Sequence, residues 1–180
     1  MLRYFAFLRA INVGGHTVKM DDLRQIFESL GFTGVETFIA SGNVIFATPA
    51  PVTKTLEIHI EGALISALGY SVAVFLRTPQ ELNAIIHYAP FSQAELDAAA
   101  AFNVAFVSDP PGDASVQKLL ALRTEIDQFH VHGREVYWLC RKKQSESSFS
   151  NAVLEKTLGM PSTLRGVNTL QKIAVKYQEG

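Results

Sequence analysis

Between Leu8 and Met20 the chain carries a run of residues whose types suit anion binding: Arg9, Asn12, the pair Gly14-Gly15, His16 and Lys19. Adjacent glycines allow positive φ and let backbone N–H groups approach a ligand, and a helix N-terminus just beyond them favours negative charge. A second polar run, Ser41-Gly42-Asn43, adds a hydroxyl and an amide. Amide, hydroxyl and cationic groups together are suited to holding phosphate or another anion. Each group also has a plainer reading: Gly14-Gly15 as a tight exit from a strand, Ser41-Gly42-Asn43 as turn chemistry alone, Arg9 as half of an interdomain ion pair.

Catalytic chemistry is harder to find. His16 lies inside the loop and is of a residue type that serves as a general base, but a lone loop histidine also reads as a surface residue. His130 and His132 face the same side of a short strand without a third ligand at metal spacing, so no metal is expected. The chain has no G-x-x-x-x-G-K-[ST], G-x-S-x-G, H-E-x-x-H or paired-cysteine motif, and no cofactor is expected. Asp21 and Asp22 are neighbours on a helix, so they point apart rather than forming a carboxylate pair.

The elements that must position these groups follow from hydrophobic periodicity. Tyr4-Phe5-Ala6-Phe7-Leu8 is apolar without alternation, as in a central strand covered on both faces. Met20, Leu23, Ile26, Phe27 and Leu30 then fall at helical spacing, and Leu30-Gly31-Phe32 ends that helix with glycine at the left-handed position. Two β-rich runs, Val35-Glu36-Thr37-Phe38-Ile39 and Val44-Ile45-Phe46-Ala47, are predicted to join through a tight hairpin at Gly42-Asn43. A helix from about residue 53 ends at Leu68-Gly69-Tyr70, before a strand at Val72-Ala73-Val74-Phe75-Leu76.

This order, β-α-β-β-α-β, is the ferredoxin-like pattern. Right-handed crossovers place the third strand beside the first and bring the strand-one loop and the second hairpin to one end of the sheet. Asn12, Gly14 and Gly15 are therefore expected near Ser41, Gly42 and Asn43.

Capping boxes at Thr78-Pro79-Gln80-Glu81 and Ser92-Gln93-Ala94-Glu95 open a helical connector, after which the pattern recurs. It comprises a strand at Asn103 to Val107, a helix carrying Val116, Leu119, Leu120 and Ile126, two strands joined at His132-Gly133-Arg134, and a helix ending Leu158-Gly159-Met160. Pro161 to Thr169 reads as irregular, and a last helix is capped by Asn168 or Thr169. The expected fold is α+β: two ferredoxin-like halves in tandem by internal duplication, with a C-terminal helix. Residues 1–88 form the first half, 89–101 a helical connector and 102–180 the second half, in one compact unit.

Composition bounds the function classes. With 180 residues, 48% hydrophobic and 18% charged, the chain can build a substantial core. The formal net charge of −1 supplies no long-range field for non-specific nucleic-acid binding. The tract Arg141-Lys142-Lys143-Gln144-Ser145-Glu146-Ser147-Ser148 reads as a solvated loop. No apolar run suits a signal peptide or a membrane span, so a cytoplasmic location is expected. Cys140, the single cysteine, lies in an apolar strand and reads as packed rather than nucleophilic.

Several segments together resemble the bacterial family known as domain of unknown function 1697: Leu8-Arg9-Ala10-Ile11-Asn12-Val13-Gly14-Gly15, Lys19-Met20, Leu30-Gly31-Phe32, Ser41-Gly42-Asn43-Val44 and Thr163-x-Arg165-x-x-Asn168-Thr169. The likeness runs nearly end to end. The sequence departs from it at Ala10, where the family usually has glycine, and at Gly166-Val167, where it has asparagine and tryptophan. A tryptophan there could stack on a ligand ring, which Val167 cannot do.

The resulting candidate ligand set is Arg9, Asn12, Gly14, Gly15, Lys19, Ser41, Gly42, Asn43, Arg165, Asn168 and Thr169. The leading expectation is a protein that binds a small anionic ligand, phosphorylated or nucleotide-like. The alternatives are a nucleic-acid-binding module and a transferase or hydrolase of a phosphorylated substrate.

Overall fold

The computed structural model describes residues 1–9, 11–12, 14–39, 42–51 and 54–177. Among them the chain forms two four-stranded antiparallel sheets and seven α-helices. These fall into two units, Met1–Asn83 joined by the chain from Ile173 on, and Ala84–Lys172.

In the first unit the elements are β1 (Leu2–Leu8), α1 (Met20–Ser29), β2 (Thr33–Thr37), β3 (Asn43–Thr48), α2 (Lys54–Leu68) and β4 (Val74–Arg77). The strand order is β2-β3-β1-β4, and β3 runs antiparallel to both β1 and β2. The missing alternation in β1 has a direct cause. Tyr4, Ala6 and Leu8 pack in a core with Leu23 and Phe27 of α1 and Ile60 and Leu64 of α2. Phe5 and Phe7, on the opposite face, are buried as well. Gly31 and Gly69, both at φ +83°, end the two helices and turn Phe32 and Tyr70 back. Phe32 then stacks on Phe46 at 4.5 Å.

Being an edge strand, β4 would leave N–H groups unpaired. Two α2 carboxylates one turn apart accept them: Glu57 Oε1 takes the N–H of Leu76 at 2.9 Å, and Glu61 Oε1 that of Val74 at 2.9 Å. We expect Glu57→Ala to lower unfolding stability by about 1–3 kcal/mol, the cost of orphaning a buried N–H. Urea denaturation of the variant checks this, and an unchanged midpoint would contradict it.

The division at Asn83 falls within α3 (Pro79–His87). The second unit continues through α4 (Gln93–Asp97), β5 (Ala101–Val107), α5 (Asp113–Leu120), β6 (Asp127–His132), β7 (Glu135–Cys140), α6 (Asn151–Leu158), β8 (Ser162–Gly166) and the start of α7 (Val167–Lys176). Its strand order is β6-β7-β5-β8. Trp138, Phe129 and Phe149 fill its core with Leu119 and Leu154. Cys140 is fully buried there, and burial pushes its thiol up, away from the reactive thiolate. Both capping boxes form, Thr78 with Glu81 and Ser92 with Glu95. The Ser92 backbone and side chain hold the Glu95 carboxyl below its usual range.

Three local expectations need correction. The β2–β3 connection spans residues 38–42 rather than a two-residue turn, because Asn43 is already a buried strand residue. Ile126 lies outside α5: Thr124 Oγ1 accepts the N–H groups of Ile126 and Asp127, and these bonds favour a turn. Residues 161–169 are ordered as β8 running directly into α7, so Asn168 and Thr169 sit in the first turn of that helix instead of capping it. The strand is polar because it is an edge. Glu155 Oε1 accepts the Ser162 N–H at 3.0 Å, and Asn151 Nδ2 donates to the Ser162 carbonyl at 2.8 Å. Among the described residues, no helix is long and apolar enough to cross a membrane.

Candidate functional site

The end of β1 is fixed between two neighbours. Leu8 N–H donates to the Gly42 carbonyl at 2.8 Å, and Arg9 N–H donates to the Ala73 carbonyl at 2.9 Å. The loop leaving β1 and the β2–β3 hairpin therefore meet at one end of the sheet.

The loop is then tied down from both sides. Asn12 Oδ1 accepts the Val18 N–H at 2.8 Å, closing a six-residue span. Tyr70, placed by the Gly69 turn, donates its hydroxyl to the Ile11 carbonyl and stacks its ring on His16 at 4.5 Å. Gly14 and Gly15 hold φ of +59° and +81°. A Cβ at Gly15 would meet nothing within 4 Å, so glycine is demanded there by backbone conformation, not by space.

Lys19 occupies the N-cap position of α1 and makes no side-chain cap bond, while Asp21 is paired with Arg24 at 2.7 Å. The loop thus sets an exposed ammonium group beside a helix start.

On the hairpin side, Gly42 contributes its carbonyl to β1, as above. Asn43 is buried, and its Nδ2 donates to the carbonyls of Phe38 at 3.0 Å and Ile39 at 3.1 Å. These bonds hold Ile39 at φ +48°, a strained conformation for a β-branched residue. The amide of Asn43 therefore serves the hairpin's shape. Ser41, like Ala10, lies outside the described residues.

Arg165, Asn168 and Thr169 belong to the second unit. One Arg165 guanidinium nitrogen donates to Thr163 Oγ1 at 2.7 Å and to the Leu164 carbonyl at 2.8 Å. Burial lowers its pKa to about 10, which leaves it cationic at neutral pH. Asn168 is exposed and Thr169 half-buried. A Cβ on Gly166 would make only an ordinary 3.8 Å contact with Asn103 Oδ1, so the backbone there has room for a side chain.

The histidines of β6 both engage Tyr88. His130 Nε2 lies 2.7 Å from the Tyr88 hydroxyl, and the His132 ring stacks on Tyr88 at 4.1 Å. Among the described residues, no group of three histidine, cysteine or carboxylate side chains could hold a metal ion.

Sequence reasoning passed over Tyr70, treating it only as the aromatic after a helix-ending glycine. That position was the available signal, since the glycine turn folds the aromatic back toward the core that the strand-one loop borders.

The family model described as protein of unknown function (DUF1697) matches residues 1–137. Among solved structures, a conserved bacterial protein from Streptococcus pneumoniae is similar, with a TM-score of 0.75 over 99% of this chain and 99% of its own. The two are 22% identical, a likeness that concerns the fold alone. No curated protein matches this chain in sequence.

Proposed function

We propose, for a chain that belongs to the family of proteins of unknown function DUF1697, that it binds a small anionic ligand, phosphorylated or nucleotide-like, at the loop after β1 and the neighbouring hairpin. The observation that carries this reading is the Leu8–Gly42 hydrogen bond, which sets both loops at one sheet end. The Gly14-Gly15 turn is held open there by Asn12 and Tyr70 before any ligand arrives. Prior ordering of backbone donors lowers the entropic cost of binding. Lys19 and Arg9 supply positive charge, and Ser41 a hydroxyl.

The test is a thermal-shift panel of nucleotides and phosphorylated metabolites at millimolar ligand. A ligand at 100 times its Kd stabilises the native state by about 2.7 kcal/mol. We expect a clear upward shift for at least one phosphorylated compound, reduced in an Arg9→Ala, Lys19→Ala double variant. A flat panel would refute the reading.

The same proposal covers the architecture. We read each unit as ferredoxin-like and the two as products of internal duplication. Support comes from the shared strand order and from a shared device: Glu57 and Glu61 on α2 serve the edge of β4 as Glu155 on α6 serves the edge of β8. A cytoplasmic location belongs to this reading too.

A further inference from the structure

We infer that the first unit contains a second binding site, a cavity that takes a flat, uncharged heteroaromatic ring where Tyr177 meets β1 and the start of α3. The cavity measures about 250 Å³. At ~30 Å³ per water, that is room for about eight waters, or for one bicyclic ring in their place.

Its walls set the chemistry. The rings of Phe5 and Tyr177, 6.1 Å apart and inclined at 58°, form two aromatic sides. Tyr177 is held rigidly: its hydroxyl donates to Glu36 Oε2 at 2.7 Å and Phe38 packs edge-on against it at 6.0 Å. Leu82, Pro79 and Ala174 extend the apolar lining. The polar contribution is a pair of carboxamides, Gln80 and Asn83, both exposed and therefore at the mouth. Three residues apart on α3, they share one side of the helix.

Aromatic walls favour a ring that can stack or meet them edge-on. Carboxamides both donate and accept, which suits the mixed N and N–H edge of a heterocycle. Among the described lining residues none is charged, and the two cations beside the Tyr177 ring are already engaged, Arg3 with the Tyr177 carbonyl at 3.0 Å and Lys176 with Glu36 at 3.7 Å, so an ionic ligand would lose its hydration and compete for a counter-charge. The cavity shares no residue with the loop site, and the two proposals stand or fall separately.

Saturation-transfer NMR on the full chain with adenine, indole and benzoate tests the inference. We expect transfer to adenine and indole and none to benzoate. Ala174→Leu narrows the cavity and should weaken both rings by at least about tenfold, equivalent to about 1.4 kcal/mol. A Gln80→Ala, Asn83→Ala double variant changes only exposed side chains, so it carries the test even if Ala174→Leu unfolds. It should weaken adenine several-fold more than indole. Absence of transfer from either ring at millimolar concentration would overturn the inference. So would binding that survives Ala174→Leu in a folded variant, or that is lost in the Arg9→Ala, Lys19→Ala variant instead.

Discussion

Replacing Asp127 by alanine should cost the protein about 3 kcal/mol of stability. The carboxylate is 1% exposed and sits at the start of β6, where Trp138 Nε1–H donates to one oxygen at 2.8 Å and Ser147 Oγ to the other at 2.7 Å. Hydrogen bonds to charged groups contribute ~1.5–3 kcal/mol each, and an orphaned buried indole N–H adds its own desolvation cost. Against this stands the burial of the carboxylate itself, which keeps the net figure below the simple sum. Asp127→Asn keeps one acceptor for Trp138 and offers Ser147 a donor, because the serine hydroxyl can reverse its role. That variant should lose only about 1 kcal/mol. Urea unfolding followed by the fluorescence of Trp138, the single tryptophan, reads both values from inside the affected core. An alanine variant within 1 kcal/mol of the parent would show that the network does not support the second unit as described.

Tyr177→Ala should be about as damaging, at roughly 3–5 kcal/mol, the range for truncating a large buried aromatic. Tyr177 is 8% exposed, packs on Phe5 and Phe38, and accepts at its carbonyl from Arg3 at 3.0 Å. Tyr177→Phe retains the packing and loses only the bond to Glu36, so it separates ring from hydroxyl. Burial, then the hydrogen bond to Glu36 and its charge, push the phenol well above its usual range, against a weaker pull from Arg3. The folded state thus holds this proton more tightly than the unfolded chain. Its contribution is complete below about pH 10, the ordinary phenol value, and is lost as pH rises from there through the higher folded value. Over that window the parent should lose stability faster than Tyr177→Phe, by up to ~1.4 kcal/mol per pH unit for one proton. Parallel denaturation curves at pH 9 to 11 compare them, and identical slopes would remove the Glu36–Tyr177 bond from the account.

Much of the fold could be read from local chemistry. Apolar β1 without alternation, the helix-ending glycines Gly31 and Gly69, and the capping boxes at Thr78 and Ser92 all encode their structure within a few residues. What escaped depends on partners outside the residue's own helix or strand. Glu57 and Glu61 look like ordinary surface acids of a helix until β4 is known to be an edge. Ser162 to Gly166 looked irregular because it is a polar edge strand, and the groups that take up the Ser162 backbone, Glu155 and Asn151, lie on another element. Asn43 carried a turn residue's signature, yet its amide reaches back to Phe38 and Ile39 from within a strand. The same limit applies to the candidate site. Gly14 and Gly15 announced their conformation, whereas the role of Tyr70 in holding their loop needed a contact 59 residues away.

The first unit is also interrupted: its chain pauses at Asn83 and resumes only at Ile173, after the whole of the second unit. Protein synthesis runs in one direction, so every strand of the second unit exists before Tyr177 does. Until then Glu36 waits for the phenol and for Lys176, and Arg3 for the carbonyl it binds. Domains tend to fold as units while the chain emerges. On the ribosome, the unit that begins first is therefore the one that closes last.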